Sequence, residues 1–188
     1  MSETGRHEHR GRSSEDNVEK ALVLDALGIR PGQTILDAGC GNGYMSMAFA
    51  SALGDTGKVV ALDPDEAAIA ILQAETAGTT IEAVVGDISQ KTGLPQASVD
   101  LIYLSNVFHG FTPEELTGFL AEVDRLLRPD GKLAVVEFVK NETPIGPPLD
   151  IRLSPEELCR KIPLTPGNTV KVGEFHYLQV FANSPDRA

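Results

Sequence analysis

The stretch Asp37-x-Gly39-x-Gly41-x-Gly43 constrains the fold of this chain more than any other segment. A short apolar run leads into it, and a mostly apolar run with a helical pattern follows it. Glycine lacks a Cβ and adopts positive φ readily, so these alternating glycines predict a sharp bend or close approach to a ligand. A strand, a glycine turn and a helix together predict a nucleotide-type cofactor site at the carboxyl edge of a parallel sheet.

The spacing of these glycines differs from that of the dinucleotide-binding fingerprint. The pattern G-x-G-x-x-G requires a glycine where this chain has Tyr44. The carboxylate of Asp37 would repel a pyrophosphate but suits a ligand that carries an ammonium group. Asp63 ends the next apolar run, twenty residues after Gly43. That offset suits a carboxylate that accepts hydrogen bonds from a ribose diol.

Strand-like and helix-like segments alternate along most of the chain, which is typical of a parallel sheet covered by helices on both faces. The predicted strands are Thr34–Asp37, Lys58–Leu62, Ile81–Val85, Val99–Leu104 and Lys132–Phe138, followed by a hairpin of Thr169–Val172 and Phe175–Phe181. The predicted helices are Asn17–Leu27, a helix from the glycine turn to about Leu53, one after Pro64 with Ala67, Ala68, Ile71 and Leu72 facing inward, Glu114–Leu127, and a short one starting at Ser154-Pro155. Arg128–Gly131 is predicted to be a turn before the fifth strand.

Composition narrows the class of protein. The 188 residues have room for one domain, and a net charge of −11 argues against a general nucleic-acid binder. No run of about 18 apolar residues occurs, so no membrane span is expected. Cys40 and Cys159 lie far apart and form neither a disulfide framework nor a zinc motif. A cytoplasmic setting fits these features.

The first 16 residues are polar and are expected to form a flexible arm. His7 and His9 flank Glu8, and one interpretation of this arrangement is a metal-binding group. The other interpretation is a lid that folds over the cofactor.

The glycine motif, Asp63 after the second strand, and Gly86-Asp87-Ile88 after the third resemble the class I S-adenosylmethionine (SAM)-dependent methyltransferases. The resemblance covers roughly residues 17–140 and is strongest to the small-molecule branch near the ubiquinone/menaquinone-biosynthesis methyltransferases. It implies a Rossmann-like, doubly wound, mostly parallel seven-stranded sheet of order 3-2-1-4-5-7-6, with an antiparallel last strand and helices on both faces. Residues 17–188 are then one methyltransferase domain.

The resemblance also implies roles for the residues of the cofactor site. Asp37, Gly39, Cys40 and Gly41 would lie against the methionine part of SAM, with Asp37 near its ammonium group. Asp63 would bind the ribose hydroxyls. The remaining predicted contacts are Pro64 beside the adenine, Asp87 on its amino group, Ile88 on its ring face, and Asn106 beneath the sulfonium. Asp37 as a brace for the loop and Asp87 as a turn residue stay open as alternatives.

Three further polar residues are predicted at the same edge of the sheet. His109 follows the fourth strand, Glu137 lies near the end of the fifth, and His176 begins the antiparallel last strand. We expect all three to converge on one pocket as catalytic groups, since histidine suits a general base near neutral pH. The same three side chains could instead hold a divalent metal, and a hydrogen-bonded structural role for His109 is also open. No metal is needed for the favoured interpretation.

Three functions are consistent with the sequence. The first is SAM-dependent methyl transfer to a small-molecule acceptor by in-line displacement. The second is a SAM-binding module without catalysis that stabilises a partner complex, and the third is a protein or RNA methyltransferase. The net charge of −11 favours a small acceptor over nucleic acid, with no membrane partner expected. The sequence does not indicate an oligomeric state.

Overall fold

The computed structural model describes residues 17–183. Seven strands form one sheet in the order β3-β2-β1-β4-β5-β7-β6, which confirms the predicted fold class. The strands are β1 Thr34–Ala38, β2 Lys58–Asp63, β3 Ile81–Val85, β4 Val99–Ser105, β5 Leu127–Phe138, β6 Thr165–Lys171 and β7 His176–Ala182. The helices are α1 Lys20–Leu27, α2 Tyr44–Leu53, α3 Glu66–Glu75, α4 Pro113–Leu126 and α5 Pro155–Lys161. The predicted arm or lid at residues 1–16 lies outside the described residues, as do residues 184–188 of the predicted domain.

Strands β1 to β5 pair in parallel, whereas β7 runs antiparallel to both of its neighbours, β5 and β6. Because the central strands are buried on both sides, they read as continuous apolar runs. One core cluster includes Leu133, Val135 and Phe119 of α4. The other includes Ala134, Val136 and Phe49 of α2. Successive β5 side chains therefore point to opposite faces of the sheet.

Several predicted boundaries need correction. The residues predicted as a turn at 128–131 lie inside β5, which starts at Leu127 and pairs with β4 across a register shift. In α3 the buried side chains are Ile69 and Leu72, whereas Ile71 is 62% exposed and Ala67 is exposed as well, so the predicted inward orientation of these two residues is wrong. Strand β6 starts four residues before the predicted Thr169.

Helix boundaries follow local capping chemistry. Thr112 and Ser154 each form a capping box with the glutamate three residues later, and a proline occupies the first turn of both helices. Asp65 caps α3 by accepting hydrogen bonds from two backbone N–H groups. No helix within residues 17–183 combines the length and apolar character needed to cross a bilayer.

Gly118 brings α4 into contact with the segment that follows β3. A Cβ at this position would overlap the backbone carbonyl oxygen of Ser89. Ser89 is held in turn by its own N–H, which donates to Asp87 Oδ1 at 2.8 Å. The absence of a side chain at Gly118 therefore sets how closely α4 approaches the turn that carries Asp87 and Ile88.

We expect Gly118→Ala to lower the free energy of unfolding by about 2–3 kcal/mol, because backbone must move to relieve the overlap. At a helix position with open space the same change would instead stabilise by about 1 kcal/mol. Urea denaturation of the wild type, Gly118→Ala and the neighbouring control Thr117→Ala measures the effect. A stabilised Gly118→Ala protein would contradict the close approach.

Candidate active site

The glycine loop between β1 and α2 is tied to the end of β2. Gly39 and Cys40 donate their backbone N–H groups to the Leu62 carbonyl at 2.7 and 3.1 Å. Gly39, Gly41 and Gly43 all have positive φ, between 53° and 78°, a backbone conformation that residues with a Cβ rarely adopt. A Cβ on Gly41 would meet no atom within 4 Å. The loop therefore leaves open space above Gly41, at the carboxyl edge of the sheet.

Asp63 orients this loop from the end of β2. Its Oδ2 accepts a hydrogen bond from the Gly41 backbone N–H at 2.9 Å, and its Oδ1 accepts one from the Asp65 N–H at the same distance. Each carboxylate oxygen has a second lone pair, so two further hydrogen bonds from a ligand remain available. Pro64, the predicted adenine neighbour, is exposed beside it.

Asp37 lies beneath the loop and is 2% exposed. Ser46 of α2 donates its hydroxyl hydrogen to Asp37 Oδ2 at 2.6 Å. Burial raises the pKa of Asp37 to about 7, although the Ser46 hydrogen bond opposes this shift and the nearby Asp63 charge adds to it. A cationic ligand group beside this carboxyl group would stabilise its ionised form.

The other predicted cofactor residues lie around the same edge. Asp87 accepts from the Ser89 N–H, and Ile88 is buried at 4% exposure within the core under α4. Cys40 packs with Ile69 and Leu72, and burial raises the pKa of its thiol well above the usual range. Its thiol therefore packs as a small apolar group.

Asn106 follows β4 directly and adopts a left-handed φ of 57°, which is uncommon for a residue with a side chain. Its backbone N–H donates to the Val136 carbonyl at 2.9 Å, which fixes it between β4 and β5. The Nε2 atom of His176 lies 3.1 Å from Asn106 Oδ1. His176 itself is fully buried, and burial lowers its pKa to about 4, so the ring is neutral at physiological pH.

His109, on a one-turn helix after β4, forms a tight pair with Glu137 near the end of β5. The Nδ1 atom of His109 lies 2.7 Å from Glu137 Oε2, and the His109 backbone N–H donates to Glu137 Oε1 at 3.2 Å. Their side chains are only 3% and 2% exposed. The flanking Phe108 packs edge-to-face against Phe119, so this aromatic residue belongs to the core and holds the turn in place.

The expected convergence of His109, Glu137 and His176 is wrong for His176. Glu137 lies opposite Tyr177 in the β5–β7 ladder, whereas the next residue, Phe138, lies opposite His176. Adjacent residues of a strand point to opposite faces, so Glu137 and His176 lie on different sides of the sheet. Within residues 17–183, no three His, Cys, Asp or Glu side chains are grouped to hold a metal ion.

Sequence reasoning missed two residues that shape this region. Ser46 is buried and bonds to Asp37, and its only sequence signal is a hydroxyl on the inward face of an apolar helix. Arg152 is 5% exposed and follows β5 by fourteen residues in an irregular loop. Its partners are mostly backbone carbonyls, which leave no pattern of residue types in the sequence.

A protein-family model described as a methyltransferase domain matches residues 35–131, just over half of the chain. The chain belongs to this family. The matched segment contains the glycine loop, Asp63, Asp87 and the Asn106 turn.

Curated relatives support the same assignment. The ubiquinone/menaquinone biosynthesis C-methyltransferase UbiE of Hydrogenovibrio crunogenus is 30% identical over 132 residues, which cover 67% of this chain and 50% of the relative. The protein of the same name from Escherichia fergusonii is 31% identical over 136 residues, covering 69% of this chain and 51% of the relative. This chain thus spans about half the length of the curated relatives it matches.

Solved structures share the fold along most of the chain. A SAM-dependent methyltransferase from Aquifex aeolicus superimposes with a TM-score of 0.80 at 26% identity, covering 90% of this chain and 92% of that one. The 1,6-didemethyltoxoflavin-N1-methyltransferase of Burkholderia thailandensis, with bound S-adenosylhomocysteine, superimposes with a TM-score of 0.65 at 27% identity, covering 88% and 76% of the two chains. Together with the family match, these likenesses confirm the predicted class I SAM-dependent methyltransferase family and its cofactor.

The residues at the edge of the sheet fit that cofactor. A carboxylate at the end of β2 with free lone pairs suits a ribose diol. A glycine loop with open space and a buried carboxyl group beneath it suits an amino-acid moiety with a positive charge. The chemistry of these residues therefore fits that of SAM.

Proposed function

We propose that this chain transfers the methyl group of SAM to a small-molecule acceptor, and that the His109–Glu137 pair removes a proton from that acceptor. The observation that carries the catalytic part is the 2.7 Å contact between His109 Nδ1 and the buried Glu137 carboxylate. We further propose that residues 17–188 form one domain, with the roles given above for Asp37, Gly39, Cys40, Gly41, Asp63, Pro64, Asp87, Ile88 and Asn106.

SAM supplies an activated methyl group, and the protein supplies alignment and exclusion of water. Holding the acceptor in line with the methyl group contributes much of the rate enhancement available to such an enzyme. The Asp63 carboxylate and the glycine loop anchor one end of the cofactor, and the turn at Asn106 borders its other side. These anchors lie on strand ends, which are rigid parts of the sheet.

Glu137 sets the chemistry of the His109 ring. A carboxylate accepts hydrogen bonds only, so the proton of neutral His109 resides on Nδ1 and the basic lone pair on Nε2. The second bond, from the His109 backbone N–H to Glu137, fixes the distance between the two residues. A histidine held in one tautomer by a buried carboxylate is the arrangement of a general base.

The need for a base narrows the acceptor class. A hydroxyl group or a carbon acid must lose a proton during methyl transfer, whereas a thiolate need not. The UbiE relatives are named as C-methyltransferases and the Burkholderia enzyme as an N1-methyltransferase of a small heterocycle. We therefore propose a small acceptor with a weakly acidic hydroxyl or carbon acid. The net charge of −11 supports a small molecule over a nucleic acid.

Calorimetry with SAM followed by transfer of a labelled methyl group tests this function. Separate reactions would contain small phenols and quinols, amines, thiols, total tRNA, or a protein extract. We expect transfer to members of the first group. Binding of SAM without transfer to any pool would indicate a module without catalysis, and transfer to tRNA or protein alone would overturn the small-molecule assignment.

We expect His109→Asn to lower kcat by about 10²–10⁴-fold while the Kd for SAM stays within about twofold. Asparagine places an N–H near the position of Nδ1 and so can keep the bond to Glu137, but it offers no base. Stopped assays of methyl transfer give kcat, and calorimetry gives Kd. Phe111→Leu, a change in the same turn that keeps His109, is the control. Unchanged kcat in His109→Asn would assign His109 to packing.

A further inference from the structure

The loop between β5 and α5 is wound around the guanidinium group of Arg152. This side chain is 5% exposed and carries its charge into a region without a carboxylate partner among its hydrogen bonds. The guanidinium donates to the backbone carbonyls of Val139, Asn141, Ile145 and Pro147 and to the Thr143 hydroxyl. Every second residue of the loop thus turns an oxygen toward one cation, which orders an otherwise irregular segment.

Phe138 connects this loop to the last strand. The Arg152 guanidinium carbon lies 5.2 Å from the centre of the Phe138 ring, within reach of a cation–π interaction. Gly146 of the loop packs on the same ring so closely that a Cβ there would lie 2.6 Å from Phe138 Cε1. The ring of His176 also contacts Phe138, with centroids 4.0 Å apart. Phe138 therefore touches both the loop and the buried histidine.

His176 continues this series of contacts to the cofactor edge. Its Nε2 lies 3.1 Å from Oδ1 of Asn106, the residue with left-handed φ at the end of β4. Contact with the ring nitrogen selects one of the two orientations of the Asn106 amide and leaves the other amide atom for another partner. The buried neutral ring suits this role, because a neutral imidazole has one donor and one acceptor nitrogen and its tautomer sets which of them meets the amide.

We propose that His176 is a positioning residue rather than a catalytic one, and that the contact series Arg152–Phe138–His176–Asn106 couples order in residues 140–151 to cofactor binding. This inference rests on the proposed function, in which Asn106 contacts the cofactor. A bound cofactor would fix the orientation of the Asn106 amide. The amide in turn orients His176, and His176 packs against Phe138, the ring on which the loop lies. Coupling between two sites is reciprocal, so cofactor binding must also stabilise the loop.

Because the coupling is reciprocal, it can be measured from the order of the loop, without a methyl acceptor. Amide hydrogen exchange of the full chain, with and without S-adenosylhomocysteine, reports order in residues 140–151 directly. In the wild type we expect bound S-adenosylhomocysteine to slow exchange in this segment. His176→Phe keeps a ring against Phe138 but removes the hydrogen-bond partner of the Asn106 amide. We expect this variant to raise the Kd for S-adenosylhomocysteine about tenfold and to abolish the slowing in the loop.

The control is Tyr177→Phe, at the next position of β7. The Tyr177 hydroxyl donates to the Leu153 carbonyl at 2.8 Å, so this variant loosens the far end of the loop from the other face of the sheet. We expect it to keep the slowing of exchange on ligand binding. Should His176→Phe not fold, Asn106→Gly removes the same amide while accommodating the left-handed φ, and it should also abolish the slowing.

The outcomes distinguish failure of the proposed function from failure of the proposed coupling. A wild type that gives no binding heat with S-adenosylhomocysteine overturns the proposed function. A wild type that binds this ligand with no change in loop exchange overturns the coupling alone, as does a slowing of exchange that persists in His176→Phe or Asn106→Gly. A double-mutant cycle of Arg152→Met with His176→Phe should give non-additive changes in Kd, and additive changes would likewise count against the contact series.

Discussion

Asp63→Ala is expected to weaken SAM binding about a hundredfold or more. The change removes the proposed acceptor for the ribose hydroxyls. It also removes the partner of the Gly41 N–H, which the carboxylate holds at 2.9 Å. Hydrogen bonds to a charged group contribute about 1.5–3 kcal/mol each, so two ribose bonds alone account for a hundredfold change.

Asp65→Ala is the matched control for this substitution. Asp65 is two residues away and accepts hydrogen bonds from the N–H groups of Ala67 and Ala68 as the cap of α3. Its loss should cost about 1 kcal/mol of stability, with little effect on binding. Calorimetric titration with SAM, and denaturation without it, separate the two effects. Equal affinities in both variants would remove Asp63 from the ribose role.

The alternation of strands and helices was predictable because its causes lie in local patterns, whereas the order of the strands in the sheet came from the resemblance to a family. Strands buried on both faces read as apolar runs, and helices between them show capping residues such as Thr112 and Ser154. The position of the antiparallel last strand came from resemblance to a family and not from periodicity. The early start of β5 escaped prediction because its first residues, Leu127 to Gly131, contain a proline and a glycine that also suit a turn.

The side-chain directions were harder to predict. In α3, Ile69 and Ile71 are chemically alike, and only the angle at which the helix packs decides which one is buried. A shift of one residue in a strand changes the face, so placing Glu137 and His176 together required the register of β5 against β7. That register is a property of the folded sheet. The His109–Glu137 contact was within reach of sequence reasoning, because His109 follows β4 and Glu137 lies near the end of the adjacent parallel strand β5.

The raised pKa of Asp37 leads to a second prediction with a large effect. Folding raises the pKa of this carboxyl from 3.8 to about 7 through burial. Below about pH 4 both the folded and unfolded states hold the proton, and the group costs no stability. Between about pH 4 and pH 7 the unfolded state releases the proton while the folded state keeps it, so stability falls as pH rises. Above about pH 7 this cost stays constant.

The stability of Asp37→Asn relative to the wild type should therefore rise by about 4 kcal/mol between pH 4 and pH 8. Asparagine is the same size and has an oxygen for the Ser46 hydroxyl, so packing is preserved. Urea denaturation at both pH values gives the difference. A stability difference that does not change with pH would show that Asp37 ionises normally in the folded protein.

The same substitution should weaken SAM binding about a hundredfold at pH 7.5, because the ammonium group loses its counter-ion in a buried site. In the wild type, binding requires ionised Asp37, so affinity should fall as the pH is lowered from 7.5 to 5.5, and at pH 5.5 each binding event should release about one proton. Calorimetry in two buffers with different ionisation enthalpies detects that proton. Asp37→Asn should lose both the release and the pH dependence.

Ser46→Ala provides the matched test of the electrostatic argument. The Ser46 hydroxyl donates to Asp37 at 2.6 Å and lowers the pKa of that carboxyl. Removing the donor should raise this pKa further and move the pH dependence of SAM binding upward, with Asp37 still present. The two variants should therefore change the pH dependence of SAM binding in different ways. Asp37→Asn should abolish it, whereas Ser46→Ala should move it to higher pH. Identical pH profiles for Ser46→Ala and the wild type would exclude Asp37 as the titrating group and leave it as a brace for the glycine loop.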